Sequence, residues 1–419
     1  MKKMMSICLM AWVLLGAFAS LNAQTTIQRS LYVSARGNDN NNGRSEETPY
    51  KTLEKAAETA NAGAIKTITV IGTIAGGSIR QSGADEILIT GKPDASAAER
   101  AVISSSINIS GKVRFSHILL TREMTGNSGP TITLGTGVVV SNTTGSGLIN
   151  IGTLIMTDDA TITGCSGAGV SGLQSYATVT MSGDTRITNN GGKGIEGAHD
   201  RSGNGTKVTM SGNAKVSGNK GRGVDCASLT MSGNTEISGN GNTATIRGYW
   251  NEGNGGVSIT GLFMFGDVKI INTAGTQEGS SSSGGGVFVN ALTMSGNAAI
   301  INNTSTGTGG GAYIYGAGTI SGNARISDNT AKEGGGIYFS DATITMEGGE
   351  ISGNKAENGA GVYVESGTFN HKGGSINNNE ADYIGGGVYV KSGATYTAGG
   401  GRVTGNTSGD MGDDNVFRQ

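Results

Sequence analysis

Two carboxylates, Glu196 and Asp225, hold the same place in two copies of one phrase: Gly192-Lys193-Gly194-Ile195-Glu196-Gly197 and Gly221-Arg222-Gly223-Val224-Asp225-Cys226. If copies of the phrase stack as neighbouring strands, about 4.8 Å apart, the two side chains become adjacent. Adjacent carboxylates can hold Ca²⁺, or share one proton because the charge of one raises the pKa of the other. Later copies put rings in that place: Phe288, Tyr313, Tyr338, Tyr363 and Tyr389. Stacked offset, such rings make a stabilising ladder worth about 0.5–1.5 kcal/mol per contact. Left open, they make a flat platform for sugar rings or a partner protein. Two insertions add groups beside the carboxylates. Residues 198–206 carry His199, Asp200 and Arg201, and residues 241–254 carry Arg247, Tyr249, Trp250 and Glu252. Loops on a rigid scaffold are where sites form, so Asp200 joins Glu196 and Asp225 as a candidate Ca²⁺ ligand. His199 and Trp250 join the tyrosines as candidate binding side chains. The bland alternative for all of them is a solvated surface, since outward carboxylates are common.

Other motifs carry less. Asp158-Asp159 aligns with Gly183-Asp184 and Gly212-Asn213, which are corners of the repeat. Residues 38–43 have the look of a Ca²⁺ loop, but Pro49 stands where the bidentate glutamate of an EF-hand would be. His371 falls in the column of Met346 and reads as a packed residue; His117 and His199 have no second His or Cys at metal-ligand spacing. The glycine phrases lack the Lys-Ser/Thr of a phosphate loop and precede strands, which excludes nucleotide binding of that kind.

What must position these residues is a repeat. Gly284-Gly285-Gly286-Val287-Phe288-Val289 returns about every 25 residues, as Gly309 to Ile314, Gly334 to Phe339, Gly359 to Val364 and Gly385 to Val390. Within a copy, Val287 and Val289 share one face and Phe288 the other, the period of a strand. A second run, Leu292-Thr293-Met294-Ser295-Gly296-Asn297, and a third, Ile300-Ile301-Asn302-Asn303, complete the unit. Glycine interrupts every run, so helices are excluded. Three short strands with sharp corners make one turn of a three-sided solenoid, each turn burying its apolar face only against its neighbours. Val287, Val289, Met294, Ile300 and Ile351 point inward in this reading. An asparagine follows the third strand of most units: Asn190, Asn219, Asn240, Asn303, Asn329, Asn354, Asn379 and Asn406. Asparagine tolerates the left-handed conformation, and amides stacked rung on rung would form a ladder. The glycines are expected to supply positive φ at the other corners.

Residues 63–140 hold apolar runs without the phrase and read as irregular rungs. Residues 141–409 are the repetitive rungs and 410–419 a C-terminal tail. One helix is expected near 50–60, where Leu53, Ala56, Ala57 and Ala60 line one face behind Pro49. With residues 24–62 it forms a cap over the open end of the solenoid.

Composition agrees. The chain has 419 residues with 75 Gly and 3 Pro, and evenly returning Val, Ile, Leu and Tyr argue against the disorder that such glycine content otherwise implies. Lys2, Lys3 and the apolar run 7–18 read as a secretory signal ending after Ala23, and no other stretch is long and apolar enough to span a bilayer. Removing the signal leaves 28 basic residues against 32 acidic, a net charge of −4. With no basic cluster, nucleic acid is excluded as the partner. Cys165 falls at a turn and Cys226 at an inward strand position, so no disulfide is expected between them.

On these motifs the chain resembles the right-handed parallel β-helix proteins of the pectin-lyase-like superfamily. Tyr32-Val33-Ser34, the loop from Gly37 to Gly43 and Tyr50-Lys51-Thr52-Leu53 look like that group's N-terminal cap. Gly310-Gly311-Ala312 and Ile351-Ser352-Gly353-Asn354 are similar to the Gly-Gly-Ala-Ile and Phe-x-x-Asn repeats of polymorphic outer-membrane adhesins, although no membrane barrel follows here. The resemblance implies an all-β, right-handed parallel β-helix with a short capping helix. It also implies three expectations for function. The first is an exported, adhesin-like binding protein with a glycan or a host or matrix protein as partner, needing no cofactor. The second is a Ca²⁺-dependent polysaccharide lyase in which Arg222 or Arg247 takes a proton beside a uronate carboxylate. The third is a non-catalytic glycan-binding module.

Overall fold

The computed structural model describes residues 30–96, 99–141, 144–198, 204–241, 257–275, 284–409, 412–413 and 415–419. The expected signal sequence lies outside the described residues. The chain forms a parallel β-solenoid of about 12 turns, with 50% strand and, among the described residues, a single helix. Among the described residues every strand pairing but one is parallel, the exception being the short pair Thr407–Ser408 with Gly412–Asp413. The stretch 63–140 is no less regular in its ladders than the rest: Thr67–Ile71, Ile87–Thr90, Lys112–Ser116, Thr131–Leu134 and Thr153–Met156 stack in unbroken register. Only its corners depart from the repeat.

The helix Leu53–Ala62 buries Leu53, Ala56, Ala57 and Ala60 over the first rungs and packs on the strand Gly77–Arg80. Thr52 caps it by accepting from the Lys55 N–H at 3.3 Å. The loop before it is held by Asp39, whose carboxylate accepts from the Lys51 and Thr52 N–H groups, each at 2.9 Å, and from the Thr52 hydroxyl. Burial alone would raise the pKa of Asp39, but these bonds outweigh it and hold the carboxylate below its usual range. The resemblance of residues 38–43 to a cation loop is thereby explained as capping.

The corner between the first and second runs is absent from several rungs. Val224–Gly233, Val257–Gly266, Val287–Gly296 and Ala312–Ile320 are continuous strands across both faces. The cause is local. Rungs that do turn there have a positive φ at Gly172, Asp341 or Gly367, whereas 226–228 and 289–292 contain none. The interior is a set of single-file columns. Met156, Met181, Met210, Met231, Met264 and Met294 are in register and buried, and His371 stands directly on Met346. The His371 ring lies 5.7 Å from that of Phe369, with Nδ1 3.1 Å from the Tyr396 hydroxyl. Burial depresses its pKa. Cys226 lies inward in register with Ile259 and Val289, and no disulfide joins it to Cys165.

The asparagines form the expected ladder, but not as left-handed residues. The left-handed position is the residue before each one: Asn189, Gly218, Asn302, Asp328, Gly353 and Asn378 have φ of 54–65°. This turn swings the following asparagine inward, where Asn190, Asn303, Asn329, Asn354 and Asn379 are fully buried. Asn354 shows the wiring. Its Oδ1 accepts from the backbone N–H and the side-chain amide of Asn329, at 3.0 and 2.9 Å. Its own amide donates to Asn379 Oδ1 at 2.9 Å and to the Ile326 carbonyl at 3.0 Å. Thr273 and Cys165 fill the column where asparagine is missing; the Thr273 hydroxyl and the Cys165 N–H both reach the next asparagine's Oδ1.

The triple glycine is the counterpart of this ladder. In the later copies the first glycine of the phrase has positive φ, as at Gly309 (64°), Gly334 (65°) and Gly385 (71°), whereas Gly284 does not. The third is glycine for space: a Cβ on Gly336 would lie 3.0 Å from the Asn354 amide nitrogen and 2.5 Å from the Gly361 carbonyl. The last ten residues are not a plain tail. Val416–Arg418 pairs with Val388–Val390 as the first strand of a further rung, and Asn415 Oδ1 accepts from Asn406 at 3.0 Å.

Asn354→Ala leaves the buried Asn329 N–H and the Ile326 carbonyl without this partner, at about 1–3 kcal/mol per unsatisfied group. Urea unfolding should show a loss of roughly 2–4 kcal/mol. Asn323→Ala, in the exposed ladder where Asn323 donates to Asn297 at 3.2 Å, should change stability by less than about 0.5 kcal/mol.

Candidate functional site

Glu196 and Asp225 are register partners on adjacent strands, as their places in the phrase require. Their surroundings are not those of a cation site. Asp225 is 2% exposed, and its Oδ2 is held by Arg222 Nη1 at 2.8 Å and Lys193 Nζ at 2.7 Å. Lys193 also reaches Glu196 at 3.1 Å. Two cations thus neutralise two carboxylates, and a Ca²⁺ ion would meet an ammonium and a guanidinium where it needs open oxygens. Burial disfavours the Lys193 ammonium, but Asp225 and Glu196 outweigh it and raise its pKa. Arg222, offered above as a proton-abstracting base, is 4% exposed and bound to Asp225 as a cation, which corrects that role. Both cations were on view in the sequence. Each is the middle residue of the Gly-x-Gly that opens its own phrase, three positions before the carboxylate.

Asp200, His199, Arg247 and Trp250 lie outside the described residues. Among the described residues, no three His, Cys, Asp or Glu side chains gather as a metal site. The Asp158-Asp159 pair is spent on a corner, where Asp158 accepts from the Thr136 hydroxyl at 3.0 Å and Asp159 from the Gly137 N–H.

The tyrosine column points away from the interior and forms a second apolar cluster of its own. Its rings stack with centroids 5.0 Å apart for Phe288–Tyr313, 5.1 Å for Tyr313–Tyr338 and Tyr338–Tyr363, and 4.6 Å for Tyr363–Tyr389. Phe417 extends the stack, 5.5 Å from Tyr389. The expected open platform is absent. Tyr338 is only 8% exposed and the other three tyrosines no more, because each ring covers its neighbour's face and the glycine turn packs at its base. A Cβ on Gly334 would lie 2.7 Å from Cβ of Tyr338. Burial, with Glu365 and Glu333 adding, pushes the Tyr338 and Tyr363 phenols far above their ordinary range. The column is a ladder, and what it offers a ligand is a line of edges.

Accessible rings lie elsewhere: Tyr176, Tyr315 and Tyr383 are exposed singly, and one strand carries an exposed pair. Phe263 and Phe265 are 38% and 41% exposed on the outward face of the second strand. They align with Thr230 and Ser232 on one side and Thr293 and Ser295 on the other. The sequence signal was Leu262-Phe263-Met264-Phe265 in the place of Leu292-Thr293-Met294-Ser295, the one copy in which aromatic residues replace both hydroxyl side chains. No family model matches the chain, and no curated protein matches it.

Asp225→Ala takes from the buried Arg222 cation the carboxylate that meets it at 2.8 Å, so a loss of about 3–5 kcal/mol is expected. Calorimetry with millimolar Ca²⁺ should give no site heat in the wild type; a saturable heat that Asp225→Ala removes would restore the cation reading. The tyrosines give a pH signature. A phenol whose pKa is raised in the fold leaves stability flat below about pH 10 and lowers it above, where the unfolded chain releases protons the fold retains. In an alkaline titration, the phenolate absorbance of Tyr338 and Tyr363 should therefore appear together with loss of the β-sheet circular dichroism, not before it.

Proposed function

We propose that the protein is an exported binding protein, adhesin-like in build, that works displayed at the cell surface or secreted. The observation that carries this reading is the fate of the chemical groups. The best acid pair is neutralised by its own cations and the aromatic column is spent on stacking, while the rungs from 284 to 409 continue almost without insertion. A rigid rod with long, flat, repetitive outer faces suits adhesion, since such solenoids bind through extended surfaces. The export signal read from the N-terminus supports action outside the cytoplasm. No helix among the described residues is long and apolar enough to cross a membrane. Contact falls to the open outer faces rather than to the tyrosines.

The test is protease shaving of intact cells that express the full chain, beside binding of the purified mature protein to host cells and matrix. The reading expects fragments released from intact cells, or protein in the medium, together with saturable binding. Protein confined to the periplasm, or a purified chain that binds neither cells nor matrix, would contradict it.

A further inference from the structure

We infer that the outward face of the second strands, centred on Phe263 and Phe265, is a binding surface for a neutral polysaccharide lying along the solenoid axis; this rests on the reading of the chain as a binding protein. Three features carry the inference. The first is aromatic exposure where the rest of the column is small and polar. Two half-exposed rings, two positions apart on one strand, lie side by side on a flat sheet. The edge of the Phe263 ring lies over Gly261, where a Cβ would sit in ordinary contact with it at 3.5 Å. Flat rings of this kind stack on the C–H face of a pyranose.

The second feature is the lack of charge. On four consecutive rungs, the outward positions of 228–232, 261–265, 291–295 and 317–321 are Ser, Thr, Gly, Ala or Phe, with no ionisable side chain. The carboxylate of Asp267 lies past the glycine corner and accepts from Asn297 at 2.8 Å. Lys207 and Glu347 mark the ends of the uncharged stretch along the axis. An acidic glycan finds no cation here, and a basic partner finds no carboxylate. The third feature is repetition. Thr209 and Thr230 precede Phe263, and Thr293, Thr319 and Thr345 follow it, in one register column at the rung spacing of about 4.8 Å. Each offers a hydroxyl that both donates and accepts, which suits a partner that is itself a row of hydroxyls around apolar sugar faces. A second protein is the poorer fit. A stable protein interface needs about 800 Å² per partner with an apolar centre, and two half-exposed rings set among Ser and Thr do not supply one.

Affinity electrophoresis of the full mature chain through gels holding hydroxyethyl cellulose, amylose or polygalacturonate tests this. The variant Phe263→Thr/Phe265→Ser restores the residues of the next rung, so it should fold like the wild type by circular dichroism. The inference expects retardation by a neutral polymer, insensitive to salt, and weakened roughly tenfold or more in that variant. Thr230→Val/Thr293→Val, which keeps shape but removes hydroxyls, should weaken it as well. Retardation that is unchanged in the phenylalanine variant overturns the surface. Retardation by polygalacturonate alone overturns the neutral ligand and leaves the binding reading standing. A chain that binds cells and matrix but no polysaccharide does the same, whereas one that binds nothing ends both. Concentration-dependent dimers in sedimentation, lost in the phenylalanine variant, would assign the patch to a second copy instead.

Discussion

A buried amide that must find partners above and below it governs this fold. Each column asparagine carries two donors and an acceptor into a dry interior, where an unmet polar group is costly. Along most of the column another amide one rung away, in the same orientation, satisfies it together with a backbone carbonyl. The bond from Asn329 to Asn354 and on to Asn379 therefore fixes the rung spacing, the register and the direction of the chain together. Hydrophobic columns drive collapse, but valine on valine tolerates slippage that amide on amide does not. The triple glycine follows from the same constraint. The third glycine leaves the asparagine amide its space, and the first turns the chain back onto the sheet.

Outside this inner frame the side chains are free to vary, and the variation has a pattern. Near 196–225 the first face is charged and self-neutralised; from 288 onward it is aromatic and self-stacked. Both arrangements satisfy the scaffold without a ligand. On the second face serines bond back to the preceding rung, as Ser321 Oγ does to the Met294 carbonyl at 3.2 Å, but the threonines are partly open and the two phenylalanines find no ring on the adjoining rungs. Surface groups that the fold does not use are the ones left for recognition, which is why the second face carries the functional argument.

Most of the fold was legible in the sequence, because a solenoid writes its geometry once per turn. The phrase, the three runs, the inward columns and the capping helix at Leu53–Ala62 all stand where the spacing put them. What was not legible depended on contacts between rungs. The left-handed residue is the one before the column asparagine, since burial of the amide and not tolerance of positive φ selects asparagine there. The tyrosines alternate correctly to the outside, yet alternation cannot tell that stacked rings and a glycine turn leave them covered. The carboxylate pair was placed correctly as neighbours, but its meaning changed once Lys193 and Arg222 were seen to fill the space between. Phe263 and Phe265 stand out in the sequence only through their alignment with Thr293 and Ser295, a weaker signal than the five rings of the tyrosine column.

The central claim is that the asparagine stack, and not the apolar columns alone, locks the rungs in register. Native-state hydrogen exchange reads it directly, since the backbone N–H of each column asparagine is donated to the next side-chain Oδ1. The account predicts that the N–H groups of Asn303, Asn329, Asn354 and Asn379 exchange only with global unfolding, as slowly as strand amides of the interior. Exchange as fast as at the exposed corner residues Asn297 and Asn323, while the strands stay protected, would show the stack to be a passenger of the hydrophobic core and contradict the account.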